Sequence, residues 1–154
     1  MNAHARSILG TDQLTVPEIE SILKLARHMD PERPPQLLRG RRVVLLFYEP
    51  STRTRTSFEF AAKALGATTT LITATSSSIE KGESLIDTGW TVACLGADVI
   101  VIRHPNSGAP YLLSRFVPVS IVTPAMDCIS TRRKRYLTRL LSPITRKSSG
   151  ACGW

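Results

Sequence analysis

The chain has 154 residues, of which 42% are hydrophobic and 21% are charged, and its formal net charge is +8. This size and composition are typical of one soluble globular domain, and no apolar run has the length of a membrane-spanning helix. The three cysteines form no CxxC pair, which argues against a disulfide framework or a zinc site, and the polar amino terminus is unlike a signal peptide. We therefore expect a cytoplasmic protein.

The positive charge is concentrated towards the carboxyl-terminal end. Residues 1–122 contain 13 lysines and arginines against 11 aspartates and glutamates, whereas residues 123–154 contain 7 lysines and arginines against 1 aspartate. A nearly neutral body therefore carries a strongly basic tail. Such a tail can bind nucleic acid or an anionic surface, so its origin needs an explanation.

The first predicted element is a helix that begins near residue 15. Thr15 and Glu18 have the spacing of a capping box, and Pro17 is tolerated in a first helical turn. Four apolar residues then recur with helical spacing and are expected to form a buried stripe: Ile19, Ile22, Leu23 and Ala26.

A buried strand and a second helix are predicted next. "RVVLLFY" (42–48) is a continuous apolar run, typical of a strand in a parallel sheet. Phe58, Ala61, Ala62 and Leu65 share one helical face, and Gly66 stands where such a helix ends. Between the two lies "EPSTRTRTSFEF" (49–60), which places hydroxyls and arginines on the turn and the first helical turn.

Strands and helices continue to alternate along the chain. The predicted order is a strand at 68–74, a polar loop at 74–83, a helix at 84–96 ending at Gly96, a strand at 97–103, a helix at 111–117 and a strand at 119–122. This alternation predicts an α/β fold with a parallel sheet of about four strands and flanking helices. We expect the domain to span residues 1–122 and to be incomplete at its carboxyl end.

Several cationic side chains follow the ends of these strands. Arg53 and Arg55 follow the first strand, Lys81 the second, and Arg103 and His104 the third. Each could be an ordinary solvated charge, and Ser or Thr at a helix start is an ordinary cap. Because the carboxyl ends of parallel strands share one edge, however, these cations should converge there, where free helical N–H groups also favour an anion. The sequence therefore predicts an anion site, most simply for phosphate.

Three segments carry a resemblance to a known family. "FYEPSTRTRTSFEFAAKALGA" (47–67), "SSSIEKGESLIDTG" (76–89) and "VIRHPNSGAPYLL" (101–113) match the aspartate and ornithine carbamoyltransferases in order and spacing. The body resembles their amino-terminal, carbamoyl-phosphate-binding domain, and Arg-His-Pro after the third strand favours the aspartate branch over the ornithine branch. The resemblance implies transfer of the carbamoyl group to L-aspartate in pyrimidine biosynthesis, with no metal or organic cofactor.

The resemblance also implies roles for individual residues. The phosphate of carbamoyl phosphate would be bound by four consecutive residues: Ser51, Thr52, Arg53 and Thr54. Arg103 would contact the carbamoyl side, and Arg53, Thr54 and Arg103 would act in catalysis. Lys81 and Ser77 would reach the aspartate side of a neighbouring subunit's site in a homotrimer.

The family match stops after Val122, and a change of reading frame explains this. Residues 123–138, "TPAMDCISTRRKRYLT", can be back-translated so that one added base before them gives "NAGDGLHxHPTQALLD", where x is Gln or Lys. This is the family's own next segment, and synonymous choice frees only the first base of most regrouped codons. We expect residues 123–154 to be an out-of-frame tail, with the family's aspartate-binding domain absent and the chain inactive alone.

Three other interpretations remain open at this point. The chain could be a relative of the ornithine enzyme, or a phosphate-binding module whose "RRKRYLTRLL" segment (132–141) binds nucleic acid. It could also be a regulatory partner that inserts its Lys81 loop into full-length subunits. The recovered reading frame disfavours the nucleic-acid interpretation, because it explains the arginines without a partner.

Overall fold

A computed structural model describes residues 6–30, 32–73 and 83–124 of the chain. Lys81, Ser77 and residues 125–154 of the expected tail lie outside this part. The described elements are a short 3-10 helix at Thr11–Gln13, α1 (Val16–His28), β1 (Arg42–Phe47), α2 (Thr52–Ala64), β2 (Thr68–Thr73), α3 (Leu85–Cys94), β3 (Val99–Arg103), α4 (Ala109–Phe116) and β4 (Ser120–Val122).

The four strands form one parallel sheet in the order β2-β1-β3-β4. This confirms the predicted α/β fold. β1 lies between β2 and β3, with Phe47 paired to Thr73 on one side and to Arg103 on the other. The carboxyl ends of these three strands therefore meet at one edge, beside the start of α2.

The sheet has a hydrophobic core on each face, and the residues of β1 alternate between them. Val43, Leu45 and Phe47 pack with Ala62 of α2 on one face. Val44 and Leu46 belong to the core on the opposite face, which also contains residues of α3 and α4. These five residues of β1 are all buried, as expected of a central parallel strand, and Arg42 at its start is exposed.

Glycine ends two of the helices. Gly66 follows α2 with φ of 90° and Gly96 follows α3 with φ of 88°. Residues with a side chain rarely adopt this left-handed conformation, which lets the chain turn back towards the next strand. Both predicted helix ends are confirmed.

The start of α1 is confirmed, but its predicted buried stripe is wrong. Thr15 and Glu18 form the capping box, and Arg6 pairs with Glu18 at 2.6 Å. The hydrogen bonds from Arg6 and Thr15 lower the pKa of Glu18 to about 2. No residue of α1 is buried, and Ile22 is 49% exposed, because the described strands and helices leave this face of α1 uncovered.

The amino-terminal segment adds a strand-like pairing that the sequence analysis did not predict. Ile8 bridges Val122 in parallel, with hydrogen bonds from the Ile8 N–H to Ile121 O and from the Thr123 N–H to Ile8 O, at 2.8 and 3.0 Å. The adjacent Leu9 is buried in the core beside α3 and α4. The outer edge of β4 is thereby partly covered. None of the helices in the described ranges is long and apolar enough to cross a membrane.

Asp98 ties the amino ends of β1 and β3 together, and we expect its loss to destabilise the fold. Its carboxylate accepts hydrogen bonds from the Arg42 N–H and from Arg41 Nη1, both at 2.8 Å. Asp98→Asn weakens both bonds, and each such bond contributes about 1 kcal/mol. Urea unfolding at neutral pH should therefore show a lower free energy of unfolding, whereas Asn at the exposed Asp12 should leave it unchanged.

The same bonds set the pH dependence of that effect. The hydrogen bond from the Arg42 N–H, followed by that from Arg41, lowers the pKa of Asp98 below its ordinary value of 3.8. The stabilisation is therefore complete above about pH 4 and is lost as the pH falls through the folded-state pKa. The difference between wild type and Asp98→Asn should shrink in acid. A difference that stays constant down to pH 2 would contradict this assignment.

Candidate functional site

The candidate site lies at the carboxyl edge of the sheet, between the end of β3 and the start of α2. Arg103 is the last residue of β3, and Ser51 precedes the first residue of α2. Because Phe47 is paired with Arg103, the residues that follow β1 pass directly beside the Arg103 side chain. Ser51 and Thr54 lie within hydrogen-bond distance of Arg103, so the "STRTR" turn and the end of β3 meet at this edge.

The guanidinium of Arg103 is held by three oxygen atoms. Its Nε donates to Glu49 Oε2 at 3.1 Å, and its Nη1 donates to Ser51 Oγ at 3.2 Å and, more weakly, to Thr54 Oγ1 at 3.5 Å. The side chains of Arg103 and Glu49 are 29% and 35% exposed, so the ion pair is partly shielded from water. These three contacts fix the guanidinium through Nε and Nη1, and none of them involves Nη2.

The first turn of α2 presents backbone donors to the same place. The Arg55 N–H donates to Ser51 O at 3.0 Å, so helical bonding begins there and the N–H groups of residues 52–54 precede it. The Ser51 side chain makes no capping bond to them. Free N–H groups and the positive end of a helix dipole attract an anion.

A positive guanidinium at this position is electrostatically unfavourable by itself. The helix dipole places partial positive charge at the amino terminus of α2, where a cation is repelled. Glu49 offsets part of this repulsion through its ion pair with Arg103. An anion bound between the helix and the guanidinium would offset the remainder, so the arrangement is suited to a phosphate or carboxylate.

The remaining predicted residues have different surroundings. Thr52 and Arg53 lie on the first turn of α2 with exposed side chains, so Arg53 can move towards a ligand. Arg55 is partly buried, and its Nε has no hydrogen-bond partner in the described part of the chain. Lys81 and Ser77 lie outside the described residues, so their predicted approach to the site stays a prediction.

Sequence reasoning missed Glu49 as the partner of Arg103. Glu49 belongs to the polar segment at 49–60, in which only the arginines and hydroxyls were predicted to form the anion site. The available signal was an acidic residue just beyond one strand of a predicted parallel pair, with an arginine at the end of the neighbouring strand. Opposite charges at adjacent strand ends are expected to pair.

His104 lies beside the site on the other face of the sheet. Its ring contacts the ring of Tyr48, with the centroids 4.5 Å apart and the planes tilted by 54°. Burial lowers the pKa of His104, and its Nδ1 accepts a hydrogen bond from the Asn106 N–H at 2.9 Å. The imidazole is therefore neutral near pH 7, with its proton on Nε2. The described residues include no cluster of histidine, cysteine and acidic groups that could hold a metal.

Comparison with known proteins gives a consistent family. Residues 6–130 match the family model described as the aspartate/ornithine carbamoyltransferase, carbamoyl-P binding domain. The aspartate carbamoyltransferase catalytic subunit of Koribacter versatilis is 63% identical over 117 residues, covering 76% of this chain and 39% of the relative. The protein of the same name from Acetivibrio thermocellus is 43% identical over 150 residues, covering 94% of this chain and 48% of the relative.

Solved structures agree with this comparison. The catalytic subunit of M. jannaschii aspartate transcarbamoylase superposes with a TM-score of 0.76 at 39% identity, covering 92% of this chain and 48% of that one. Ornithine carbamoyltransferase from Pyrococcus furiosus superposes with a TM-score of 0.68 at 28% identity, covering 80% of this chain and 41% of that one. The chain thus spans less than half the length of each of these relatives.

Proposed function

The chain belongs to the aspartate/ornithine carbamoyltransferase family, and on that premise we propose that it binds carbamoyl phosphate as part of an aspartate carbamoyltransferase catalytic subunit. The higher identity to aspartate enzymes than to the Pyrococcus ornithine enzyme supports the aspartate branch. A Trypanosoma cruzi aspartate transcarbamoylase, 33% identical with a TM-score of 0.72, has been solved in complex with carbamoyl phosphate and aspartate. The function of the complete protein would be carbamoyl transfer in pyrimidine biosynthesis.

The observation that carries this proposal is the position of Arg103 at the start of α2. The guanidinium lies within hydrogen-bond distance of Ser51, at the positive end of the helix, and is held there by Glu49. A phosphate at this point can accept hydrogen bonds from backbone N–H groups, from hydroxyls and from the planar guanidinium. No simple capping role requires an arginine from a neighbouring strand.

We assign the roles of the site residues on this basis. Ser51, Thr52, Arg53 and Thr54 bind the phosphate, and Arg103 contacts the carbamoyl side. Lys81 and Ser77 act at the site of a neighbouring subunit in a homotrimer, where L-aspartate binds. These assignments are supported by the family match over residues 6–130 and by the placement of Ser51, Thr54 and Arg103 together.

The proposed chemistry is substitution at the carbamoyl carbon. The amine nitrogen of aspartate forms a bond to that carbon, the carbon–oxygen bond to phosphate breaks, and the amine loses a proton. Negative charge develops on the carbonyl and phosphate oxygens. Arg103 faces the former and the first turn of α2 the latter, so this half of the site acts through electrostatic stabilisation and positioning.

Residues 123–154 are, in this proposal, the product of a one-base change of reading frame and have no function of their own. The recovered "NAGDGLHxHPTQALLD" segment supports this, because it continues the family sequence directly after β4. The basic composition of the tail then needs no nucleic-acid partner. A cytoplasmic location follows from the proposed pathway.

Calorimetric titration of the 154-residue chain tests the proposal. We expect both inorganic phosphate and fresh carbamoyl phosphate to bind. Arg53→Ala should weaken the binding of carbamoyl phosphate about tenfold. Loss of one charge-assisted contact is worth about 1.5–3 kcal/mol, and the exposure of Arg53 places it at the lower end. Arg115→Ala is the matched control, because Arg115 is an exposed arginine in the last turn of α4.

Each outcome decides the assignment. Weaker binding in Arg53→Ala, with unchanged binding in Arg115→Ala, supports a site at the start of α2. Equal weakening by both variants would indicate general attraction of anions to a basic chain, and absence of any phosphate binding in the folded wild type would refute the site.

A further inference from the structure

The ends of β1 and β3 present two neighbouring pairs of side chains, one on each face of the sheet. Successive residues of an extended chain point to opposite faces. Glu49 and Arg103 therefore meet on the face covered by α2, whereas Tyr48 and His104 meet on the face covered by α3 and α4. The Tyr48 N–H donates to Arg103 O at 2.8 Å and joins the two pairs.

Tyr48 is anchored in the core, although it stands next to the polar site. Its ring packs against the hydrophobic cluster formed with α3 and α4, and burial raises the pKa of its hydroxyl. The Oη atom is buried near the Thr88 hydroxyl, whose interaction lowers the pKa of Tyr48 by less than burial raises it. The contacts that link Tyr48 to His104 and Arg103 come from its ring and its backbone N–H.

The ring contact is continued into the turn between β3 and α4. His104 Nδ1 accepts the Asn106 N–H at 2.9 Å, and Asn106 Oδ1 in turn accepts the Gly108 N–H at 2.9 Å. Gly108 directly precedes α4. The Tyr48 ring thus supports an imidazole that organises this whole turn, beginning one residue after Arg103.

We propose that Tyr48 is a positioning residue for Arg103, acting through the backbone of β3 and the ring of His104. The inference rests on the proposed function, since it concerns the same anion site. The contact between His104 and Tyr48 fixes the direction of the chain where it leaves β3 after Arg103. The guanidinium of Arg103 is thereby directed towards Ser51 on the opposite face of the sheet. Without the ring, the Arg103 backbone can rotate and its donors are less often aligned with the anion.

A purely structural role for Tyr48 predicts a different result. If the ring merely fills the core, its removal lowers stability and weakens binding by the same factor in the wild type and in Arg103→Ala. If Tyr48 acts through Arg103, its removal matters only while Arg103 is there to be positioned. A double-mutant cycle separates the two, because coupled residues give non-additive effects.

The experiment measures carbamoyl phosphate affinity by calorimetry in the 154-residue chain. We expect Tyr48→Leu to weaken binding about tenfold in the wild-type background and in Arg53→Ala, but less than about twofold in Arg103→Ala. Tyr48→Phe should retain wild-type affinity, because it keeps the ring contact with His104 and the backbone bond to Arg103. Tyr111→Leu is the matched control, since Tyr111 lies 38% exposed on α4.

The outcomes are distinguishable from those of the proposed function. If the folded wild type binds no carbamoyl phosphate, the proposed function fails. If it binds, but Tyr48→Leu has the same effect with and without Arg103, the positioning role is refuted. Where Tyr48→Leu does not fold, His104→Ala removes the other ring of the contact and must show the same dependence on Arg103; additive effects in that cycle would also refute the proposal.

Discussion

Arg103→Ala is expected to weaken the binding of carbamoyl phosphate and of inorganic phosphate at least about a hundredfold. Two effects combine in this variant. The ligand loses a charge-assisted donor group, which is worth about 1.5–3 kcal/mol. In addition, Glu49 loses the partner that neutralises it and leaves a free carboxylate beside the anion. The expected loss is therefore larger than that for the exposed Arg53.

Two further variants separate these effects. Arg103→Lys keeps the charge but loses the planar fork, so we expect binding between that of the wild type and that of Arg103→Ala. Removing Glu49 together with Arg103 should recover part of the lost affinity, because the repelling carboxylate is gone. Calorimetry at fixed ionic strength measures all three variants, and circular dichroism confirms that each is folded.

A near-wild-type affinity in Arg103→Ala would contradict the site. It would mean that the anion is held by the first turn of α2 alone and that Arg103 serves only its ion pair with Glu49. No recovery in the double variant would instead show that the Glu49 carboxylate does not contribute to the loss.

The sheet and the order of its elements could be predicted because their signals are local. The apolar run that became β1 contains five consecutive buried residues, as a strand covered on both faces requires. Gly66 and Gly96 marked helix ends that need positive φ. The expectation that the "STRTR" turn and Arg103 share one edge of the sheet followed from a topological rule about parallel strands rather than from any one residue.

The features that were missed depend on packing between distant segments. The apolar spacing of α1 correctly indicated a helix, but the described elements leave Ile22 and Ala26 of the predicted stripe exposed. Periodicity identifies an apolar face and does not show what covers it. Likewise, the pairing of Ile8 with Val122 joins segments 114 residues apart, and nothing in the amino-terminal sequence signals it.

The alternation at the strand ends explains why the site itself was only partly predicted. Glu49 and Tyr48 are adjacent in sequence, yet they contact Arg103 and His104 on opposite faces. Assigning them requires the register of β1 against β3, which the sequence does not specify. The faces of the four side chains are given by their contacts in the structure, since Tyr48, Glu49 and His104 lie beyond the ends of β1 and β3.

Restoring the reading frame is expected to produce the largest change in activity. We expect the purified 154-residue chain to carbamoylate aspartate at no measurable rate. One base inserted between the codons for Val122 and Thr123, with translation continued in the new frame, should give an active enzyme. The assay follows carbamoyl aspartate formation from radiolabelled carbamoyl phosphate, with both proteins purified from a host that lacks its own aspartate carbamoyltransferase.

The physical reason is that the described site holds one reactant. In the proposed function, Ser51, Thr54 and Arg103 hold the leaving phosphate and the carbamoyl group, but orientation of both reactants is needed for efficient transfer. Such orientation can contribute about 7–11 kcal/mol to lowering a barrier. The "HPTQ" segment appears only in the restored frame, at positions 131–134.

Arg103→Ala, introduced into both versions, supplies the decisive control. In the frame-restored protein it should remove most of the activity, which ties turnover to the site described here. If the 154-residue chain itself turns over and Arg103→Ala abolishes that activity, contamination is excluded and the proposed change of frame is wrong. If the frame-restored protein folds and binds carbamoyl phosphate but transfers nothing to aspartate, the assignment to the aspartate branch fails, and transfer to ornithine becomes the next reaction to measure.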